Sequence, residues 1–171
     1  MKVLVSDSLS NEGLEILKEH FDIDVCTGLC EDELVEKIKG YDALVIRSGT
    51  QVTQRIIEAA DNLKIIGRAG VGVDNVDVDA ATKKGIIVAN APEGNMISAA
   101  EHTIAMMMSM SRNIPQANAS LKAREWKRNK FMGVEVKGKT LGVIGLGRIG
   151  SEVAKRAAGL EMNLMGYDPF I

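Results

Sequence analysis

The chain has 171 residues, 46% of them apolar, which is enough to bury the core of one domain and part of a second. Its formal net charge of −2 gives no general attraction to nucleic acid, so an anionic ligand must be held by a local cluster of donors. No apolar stretch reaches the roughly 18 residues of a membrane span, and the start MKVLVSDS lacks a secretory signal, so we expect a cytoplasmic protein without a membrane partner.

The first half of the chain alternates short β-branched apolar runs with amphipathic stretches, a pattern typical of βαβ units and a parallel sheet. Ser10 precedes the first helical stretch as an N-cap candidate, while Gly40 and Gly85 follow later ones as C′ candidates. The predicted strands cover residues 3–5, 23–25, 43–46, 64–66 and 86–88. Up to about residue 90 the pattern therefore predicts an α/β domain of five strands.

The two cysteines, Cys26 and Cys30, have only His20 near them in the sequence. A tetrahedral metal site would be at least one ligand short, so we assign no metal and interpret both as reduced thiols.

A polar stretch with proline and glycine, residues 90–95, predicts a hinge. Ser98 and Glu101 have the spacing of a capping box, which predicts a helix from Ala99 to about Ser111. Methionines at 106, 107, 108 and 110 make this helix apolar on more than one face, so we expect it to be buried on more than one side. We interpret them as packing residues, and we expect a second copy of the chain to cover the 99–126 region.

A glycine-rich motif, GLGRIG at 145–150, lies between a predicted strand at 140–144 and a predicted helix at 151–158. A second strand at 163–167 ends in Asp168, about 20 residues on, which is the full context of a dinucleotide-binding turn. Such glycines permit the tight turn, the approach of a pyrophosphate and close helix packing, while the carboxylate accepts from ribose and repels the 2′-phosphate of NADP. NAD is the predicted cofactor, with cofactor-binding residues Gly145, Gly147, Arg148, Ile149, Gly150 and Asp168.

The whole chain resembles the D-isomer-specific 2-hydroxyacid dehydrogenases. The resemblance lies in GRAGVGVDNVD at 67–77, NAPEGNMISAAEHT at 90–103 and GKTLGVIGLGRIG at 138–150. It implies an α/β protein with a flavodoxin-like parallel-sheet substrate domain at 1–94, followed by the first part of a Rossmann NAD-binding domain at 95–171.

Within that family, VIRSGT at 45–50 resembles the branch whose substrate carries a phosphate, which implies that Arg47 and Ser48 contact that phosphate. A guanidinium suits this role because it forms two parallel bonds to phosphate, although spacing alone fits a solvated strand-end charge equally well. The resemblance also assigns backbone amides near Ala69, Gly70 and Val71 to the substrate carboxylate. It places Asn95 near the substrate at the hinge.

The resemblance locates the family's catalytic histidine, glutamate and arginine beyond Ile171, so we assign no catalytic residue and expect a truncated chain that is inactive alone. Glu101 and His102 are helix neighbours about 100° apart and cannot form an acid–base dyad.

Three interpretations stay open. The first is oxidation of a phosphorylated 2-hydroxyacid by the complete protein. The second is another family substrate, such as glyoxylate or D-lactate. The third is a non-catalytic NAD-binding or dimerisation module, similar to the C-terminal-binding transcriptional co-repressors.

Overall fold

The structure is a computed structural model that describes all residues, 1–171, and they form two compact units, Met1–Gly94 and Asn95–Ile171. The first unit holds one five-stranded sheet in which every neighbouring pair is parallel, in the order β2-β1-β3-β4-β5. Its strands are β1 (Lys2–Val5), β2 (Asp22–Val25), β3 (Ala43–Ile46), β4 (Ile65–Arg68) and β5 (Ile87–Asn90). Its helices are α1 (Asn11–His20), α2 (Glu31–Lys37), α3 (Gln54–Ala59) and α4 (Val78–Lys83).

The predicted parallel-sheet α/β fold is confirmed, and the strand order is that of a flavodoxin-like sheet. The last two strands extend further than predicted because their pairing continues through Gly67 with Ala89 and Arg68 with Asn90. The loop after β4 therefore begins at Ala69.

The core of this unit lies on both faces of the sheet because successive strand side chains alternate between faces. Leu4, Leu44 and Ile66 are fully buried on one face among residues of α2, α3 and α4, while Val3 and Val5 face α1. Burying one such side chain contributes about 1.5–3 kcal/mol. This packing fixes the sheet whose carboxyl edge carries the loops described below.

The helix ends in this unit follow the predicted caps. The Ser10 hydroxyl accepts from the Gly13 N–H at 3.2 Å and begins α1, as expected. Gly85 lies just past the end of α4 with φ +74°, and Gly40 follows α2 with φ +84°.

The second unit contains two parallel strands and three helices. Its strands match the predicted ranges: β6 (Thr140–Ile144) and β7 (Asn163–Tyr167). Its helices are α5 (Met96–Ser111), α6 (Ile114–Lys122) and α7 (Arg148–Gly159), with a short 3-10 turn at Arg128–Phe131. Val153 and Ala157 of α7 are buried.

The predicted capping box at Ser98 is wrong. Helix α5 begins at Met96, since the Ala99 N–H already donates to the Asn95 carbonyl at 2.9 Å. The Ser98 hydroxyl donates to the same carbonyl at 3.0 Å and so caps no amide.

The predicted start of α7 at Ser151 is also wrong, because the helix begins at Arg148 with Gly147 as its N-cap. The second half of the glycine-rich motif, residues 148–150, therefore forms the first turn of the helix.

The expectation that the methionine-rich helix is buried on more than one side is wrong for the chain by itself. Only Ala100 of α5 is buried, and the Met110 side chain is 73% exposed.

No helix of the structure has the length and apolar character needed to cross a bilayer.

Candidate functional site: two loops at strand ends

The residues assigned to the substrate lie at the carboxyl edge of the first sheet. Arg47 and Ser48 directly follow β3, and Ala69, Gly70 and Val71 follow β4, its neighbour in the sheet. Arg47 and Ala69 line the same cleft of about 580 Å³, together with residues of α1 and the Leu9–Ser10 segment before it. Carboxyl ends of parallel strands are where ligands bind in open α/β sheets. The first unit thus brings five assigned residues to one edge.

The Arg47 side chain is available for an anion. The residue is exposed, and the only contact of its guanidinium is from Nη1 to the Ser8 carbonyl at 3.3 Å. The exposed Ser48 hydroxyl has no protein partner. A planar guanidinium with free donors can take a phosphate or carboxylate through two parallel hydrogen bonds.

The 69–73 loop offers fewer amides than the sequence suggests. The Ala69 N–H donates to Ile46 at 2.8 Å and the Gly70 N–H to Arg68 at 2.9 Å, so both are already used inside the protein. The Val71 N–H has no protein acceptor. Of the three assigned residues, Val71 is therefore the one whose amide is free to meet a ligand.

Two side chains that sequence reasoning missed shape this loop. The Arg68 side chain is 10% exposed, and its Nη1 donates to the Gly72 carbonyl. Asn90 Nδ2 donates to the Val71 carbonyl at 2.5 Å. Arg68 and Asn90 end adjacent strands β4 and β5, and a polar residue at the end of an apolar strand was the signal available.

Two further residues missed by sequence reasoning hold the loop after β3. Asp7, just past β1, accepts backbone N–H bonds from the 47–50 loop, and the Asn75 amide donates to its carbonyls. Asn75 belongs to the GRAGVGVDNVD motif, but no local pattern indicated its partners.

The glycine turn of the second unit has the geometry of an anion site. Gly145 adopts φ +91°, which favours glycine, and its N–H donates to Tyr167 at 2.7 Å. The first bond of α7 runs from the Ser151 N–H to the Gly147 carbonyl at 2.9 Å. The N–H groups of Arg148, Ile149 and Gly150 precede it, so they have no acceptor inside the helix. Free amides at a helix N-terminus bind phosphate oxygens.

The three motif glycines differ in the space around them. An added Cβ at Gly147 would meet no atom within 4 Å, so the backbone there is open to a ligand. A Cβ at Gly150 would collide with the Gly145 carbonyl, since helix and turn are in direct contact. The space at Gly147 is thus open, and Gly150 permits the close packing of helix and turn.

Asp168 lies at the end of β7, as expected, but both of its oxygens meet backbone amides. Oδ2 accepts from the Leu146 N–H at 2.7 Å and Oδ1 from the Phe170 N–H at 2.9 Å. An ionised carboxylate has about four acceptor positions, so capacity for two ribose hydroxyls remains. The carboxylate joins the glycine turn to the second strand.

Helix α5 and its N-cap carry the remaining residues considered from the sequence: Asn95, assigned to the substrate, and Glu101 and His102, excluded as an acid–base pair. Asn95 is the N-cap residue of the helix, exposed, with no hydrogen bond from its side chain. Glu101 faces Arg156 across 3.8 Å rather than His102, so no acid–base pair forms there.

Comparison with known proteins agrees with this geometry. Residues 3–163 match the family model described as D-isomer specific 2-hydroxyacid dehydrogenase, catalytic domain. The chain is 59% identical to D-3-phosphoglycerate dehydrogenase of Methanocaldococcus jannaschii, covering 100% of this chain and 33% of that protein. It is 58% identical to the enzyme of the same name from Synechocystis, covering 99% of this chain and 31% of that protein. The chain thus spans about a third of the length of these relatives.

Among solved structures, the chain is similar to cofactor (NAD+) bound 3-phosphoglycerate dehydrogenase of Entamoeba histolytica. The TM-score is 0.79 at 31% identity, and the match covers 100% of this chain and 55% of that one.

Replacing Gly150 by Ala is expected to destabilise the second unit by about 1–3 kcal/mol, because the added methyl group must push the Gly145 carbonyl away. The control is Gly159→Ala in the same helix, where a Cβ has no atom within 4 Å. Thermal unfolding, with hydrogen exchange of the β6 and α7 amides, measures both variants. Equal melting temperatures would contradict the close contact.

Proposed function

Because the chain belongs to the D-isomer-specific 2-hydroxyacid dehydrogenase family, we propose that the complete protein oxidises D-3-phosphoglycerate to 3-phosphooxypyruvate with NAD, as a cytoplasmic enzyme of serine biosynthesis. The observation that carries the proposal is the exposed Arg47 guanidinium with free donors, beside the free Val71 amide on the neighbouring loop. The names of the two curated relatives support it.

The substrate has an anionic group at each end, and the edge of the first sheet offers a donor for each. Arg47 and Ser48 bind the phosphate, the guanidinium through two parallel bonds and the hydroxyl through one. The 69–71 amides, with Val71 the free one, bind the carboxylate. Asn95, at the start of α5, completes the assigned set.

The cofactor site is the glycine turn. The free amides of Arg148, Ile149 and Gly150 hold the pyrophosphate beside the open Gly147 backbone, and Asp168 accepts from the adenosine ribose. NAD held at this turn would supply the acceptor for the hydride that leaves C2 of the substrate. The hydroxyl proton passes to a general base, for which we assign no residue of these 171.

Two alternatives make different demands on these residues. Glyoxylate or D-lactate carries no phosphate and would leave the Arg47 guanidinium without a partner. A non-catalytic NAD-binding module would bind the dinucleotide at the glycine turn without turnover. Steady-state turnover by the complete protein with phosphorylated and unphosphorylated acids distinguishes the proposed function from both alternatives.

In the complete protein, Arg47→Ala is expected to raise the KM for D-3-phosphoglycerate by about thirtyfold, since a charged hydrogen-bonded contact contributes about 2 kcal/mol. The KM for NAD should change little because the glycine turn is untouched. Arg47→Lys keeps the charge but loses the planar fork, so its KM for D-3-phosphoglycerate should lie between those of the parent and Arg47→Ala. An unchanged KM for D-3-phosphoglycerate would refute the assigned phosphate site.

Asp168→Ala in the complete protein is expected to weaken NAD and to narrow its preference over NADP, because the change removes both the ribose acceptor and the charge that repels a 2′-phosphate. Asp168→Asn is the matched variant, since its amide oxygen keeps an acceptor for the Leu146 N–H, while the charge and the oxygen that accepts the Phe170 N–H are lost. Dissociation constants for both dinucleotides measure the effect. The cofactor assignment fails if neither variant alters the NAD-to-NADP ratio.

The 99–126 region is proposed as a contact between two copies of the protein. Its exposed apolar side chains support this, since patches of this kind mark interfaces. They are Met106, Met110, Ile114, Leu121 and Trp126.

Met110→Asp is expected to convert a dimer of the complete protein to monomer, because it places a charge in an apolar contact. Met132→Asp is the control, as Met132 is 77% exposed but lies outside the region. Sedimentation equilibrium at micromolar concentration distinguishes the species. If both variants assemble like the parent, the interface lies elsewhere.

A further inference from the structure

The 47–50 loop is closed by two side chains that come from distant parts of the chain. One oxygen of Asp7, Oδ2, accepts from the Arg47 N–H at 2.6 Å and from the Thr50 N–H at 3.1 Å. One nitrogen of Asn75, Nδ2, donates to the Arg47 carbonyl at 2.7 Å and to the Thr50 carbonyl at 2.6 Å. The backbone N–H and C=O groups of the first and last residues of the loop are thus bound by the same pair of side chains.

No backbone–backbone bond supports the four residues of this loop. Strand β3 ends at Ile46, and the next backbone bond along the chain runs from the Val52 N–H to Asn75. Buried backbone groups require partners, and here side chains supply them. Asp7 and Asn75 therefore set the course of the backbone that carries Arg47 and Ser48.

The loop lies directly against the Asp7 carboxylate. A Cβ at Gly49 would lie 2.5 Å from Asp7 Oδ1, so any other residue there would displace the carboxylate. On the buried side, the Thr50 and Ser6 hydroxyls are 2.9 Å apart. Asp7 thus holds the loop at its two ends, the Ser6 hydroxyl holds Thr50 from the buried side, and Gly49 leaves room for the Asp7 carboxylate.

The orientation of the Asn75 amide follows from its partners. A reversed amide would bring Oδ1 against two carbonyl oxygens, so the nitrogen must face them. Oδ1 is buried without a partner, and the side chain acts at this loop only as a donor. Aspartate, which has the same shape but no donor when ionised, cannot replace it.

We infer that Asp7 and Asn75 are positioning residues for the phosphate end of the substrate, which they do not touch: they hold Arg47 and Ser48 where those side chains reach the phosphate. The inference rests on the proposed function. A carboxylate close to a phosphate site disfavours an anion by its charge, so Asp7 contributes through the geometry of the loop.

The test uses the complete protein and steady-state kinetics with D-3-phosphoglycerate. Asp7→Ala and Asn75→Ala are each expected to raise its KM about tenfold and to leave kcat within about twofold, since they weaken binding and not the chemical step. Asp7→Asn should recover part of the loss because its amide oxygen can still accept an N–H. The control is Asp42→Ala, which removes a carboxylate that accepts the Lys2 N–H at 2.9 Å just before β3, at the opposite end of the strand.

A double-mutant cycle separates positioning from general destabilisation. If Asp7 acts through Arg47 and Ser48, then Asp7→Ala raises the KM by much less than tenfold in an Arg47→Ala background, because only the Ser48 contact remains to be lost. A full tenfold rise in that background, or an equal rise in Asp42→Ala, would overturn the inference. If Asp7→Ala does not fold, the same cycle with Asp7→Asn decides the question, with an expected rise in KM of about threefold in the parent and a smaller rise in the Arg47→Ala background.

The cycle also separates this inference from the proposed function. If Arg47→Ala itself leaves the KM unchanged, the phosphate site is wrong and the positioning role fails with it. If Arg47→Ala raises the KM while Asp7→Ala, Asp7→Asn and Asn75→Ala do not, the site stands and only the positioning role is refuted.

Discussion

All five strands of the first unit run in the same direction, and the placement of the five substrate residues assigned in this unit depends on that constraint. In a parallel sheet the strands end at one edge, so the loops that leave them lie side by side. Strands β1, β3 and β4 are consecutive neighbours in the sheet, which brings Asp7, Arg47 and Ala69 together although they are tens of residues apart in sequence. The buried core on both faces keeps this edge rigid.

In each of the two units, an aspartate side chain holds a loop that follows a strand. A loop that must keep donors free for a ligand still has to be held, and in each unit an aspartate at the end of a neighbouring strand holds it. Asp7 accepts N–H groups of the loop after β3, and Asp168 accepts the Leu146 N–H of the turn after β6. In both cases, a carboxylate binds some amides, and others near it keep their donors free.

Local pattern was enough for the parallel α/β fold and for strands β6 and β7, because β-branched runs and turn glycines act over a few residues. It failed at two helix starts: α5 begins at Met96 without the predicted Ser–Glu pair, and α7 begins at Arg148, three residues before the predicted start. The assigned substrate and cofactor residues came from motif and resemblance. Which amides of the 69–71 segment are free could not be read from the sequence, because their acceptors include Ile46 on another strand. Asp7 and Asn75 were missed for the same reason, as their partners lie 40 and 28 residues away.

The separation of 28 residues between Arg47 and Asn75 affects the order in which the parts of this unit fold during synthesis on the ribosome. Domains fold as units while synthesis proceeds from the N-terminus, and contacts distant in sequence wait for the chain between them. The 47–50 loop cannot be closed until Asn75 has left the exit tunnel, long after Arg47 and Asp7 have emerged. Strands β1, β2 and β3 can pair before that point, so strand pairing in the nascent chain begins before the 47–50 loop is closed. The backbone that carries Arg47 and Ser48 thus takes its final course only after the strand that precedes it has paired.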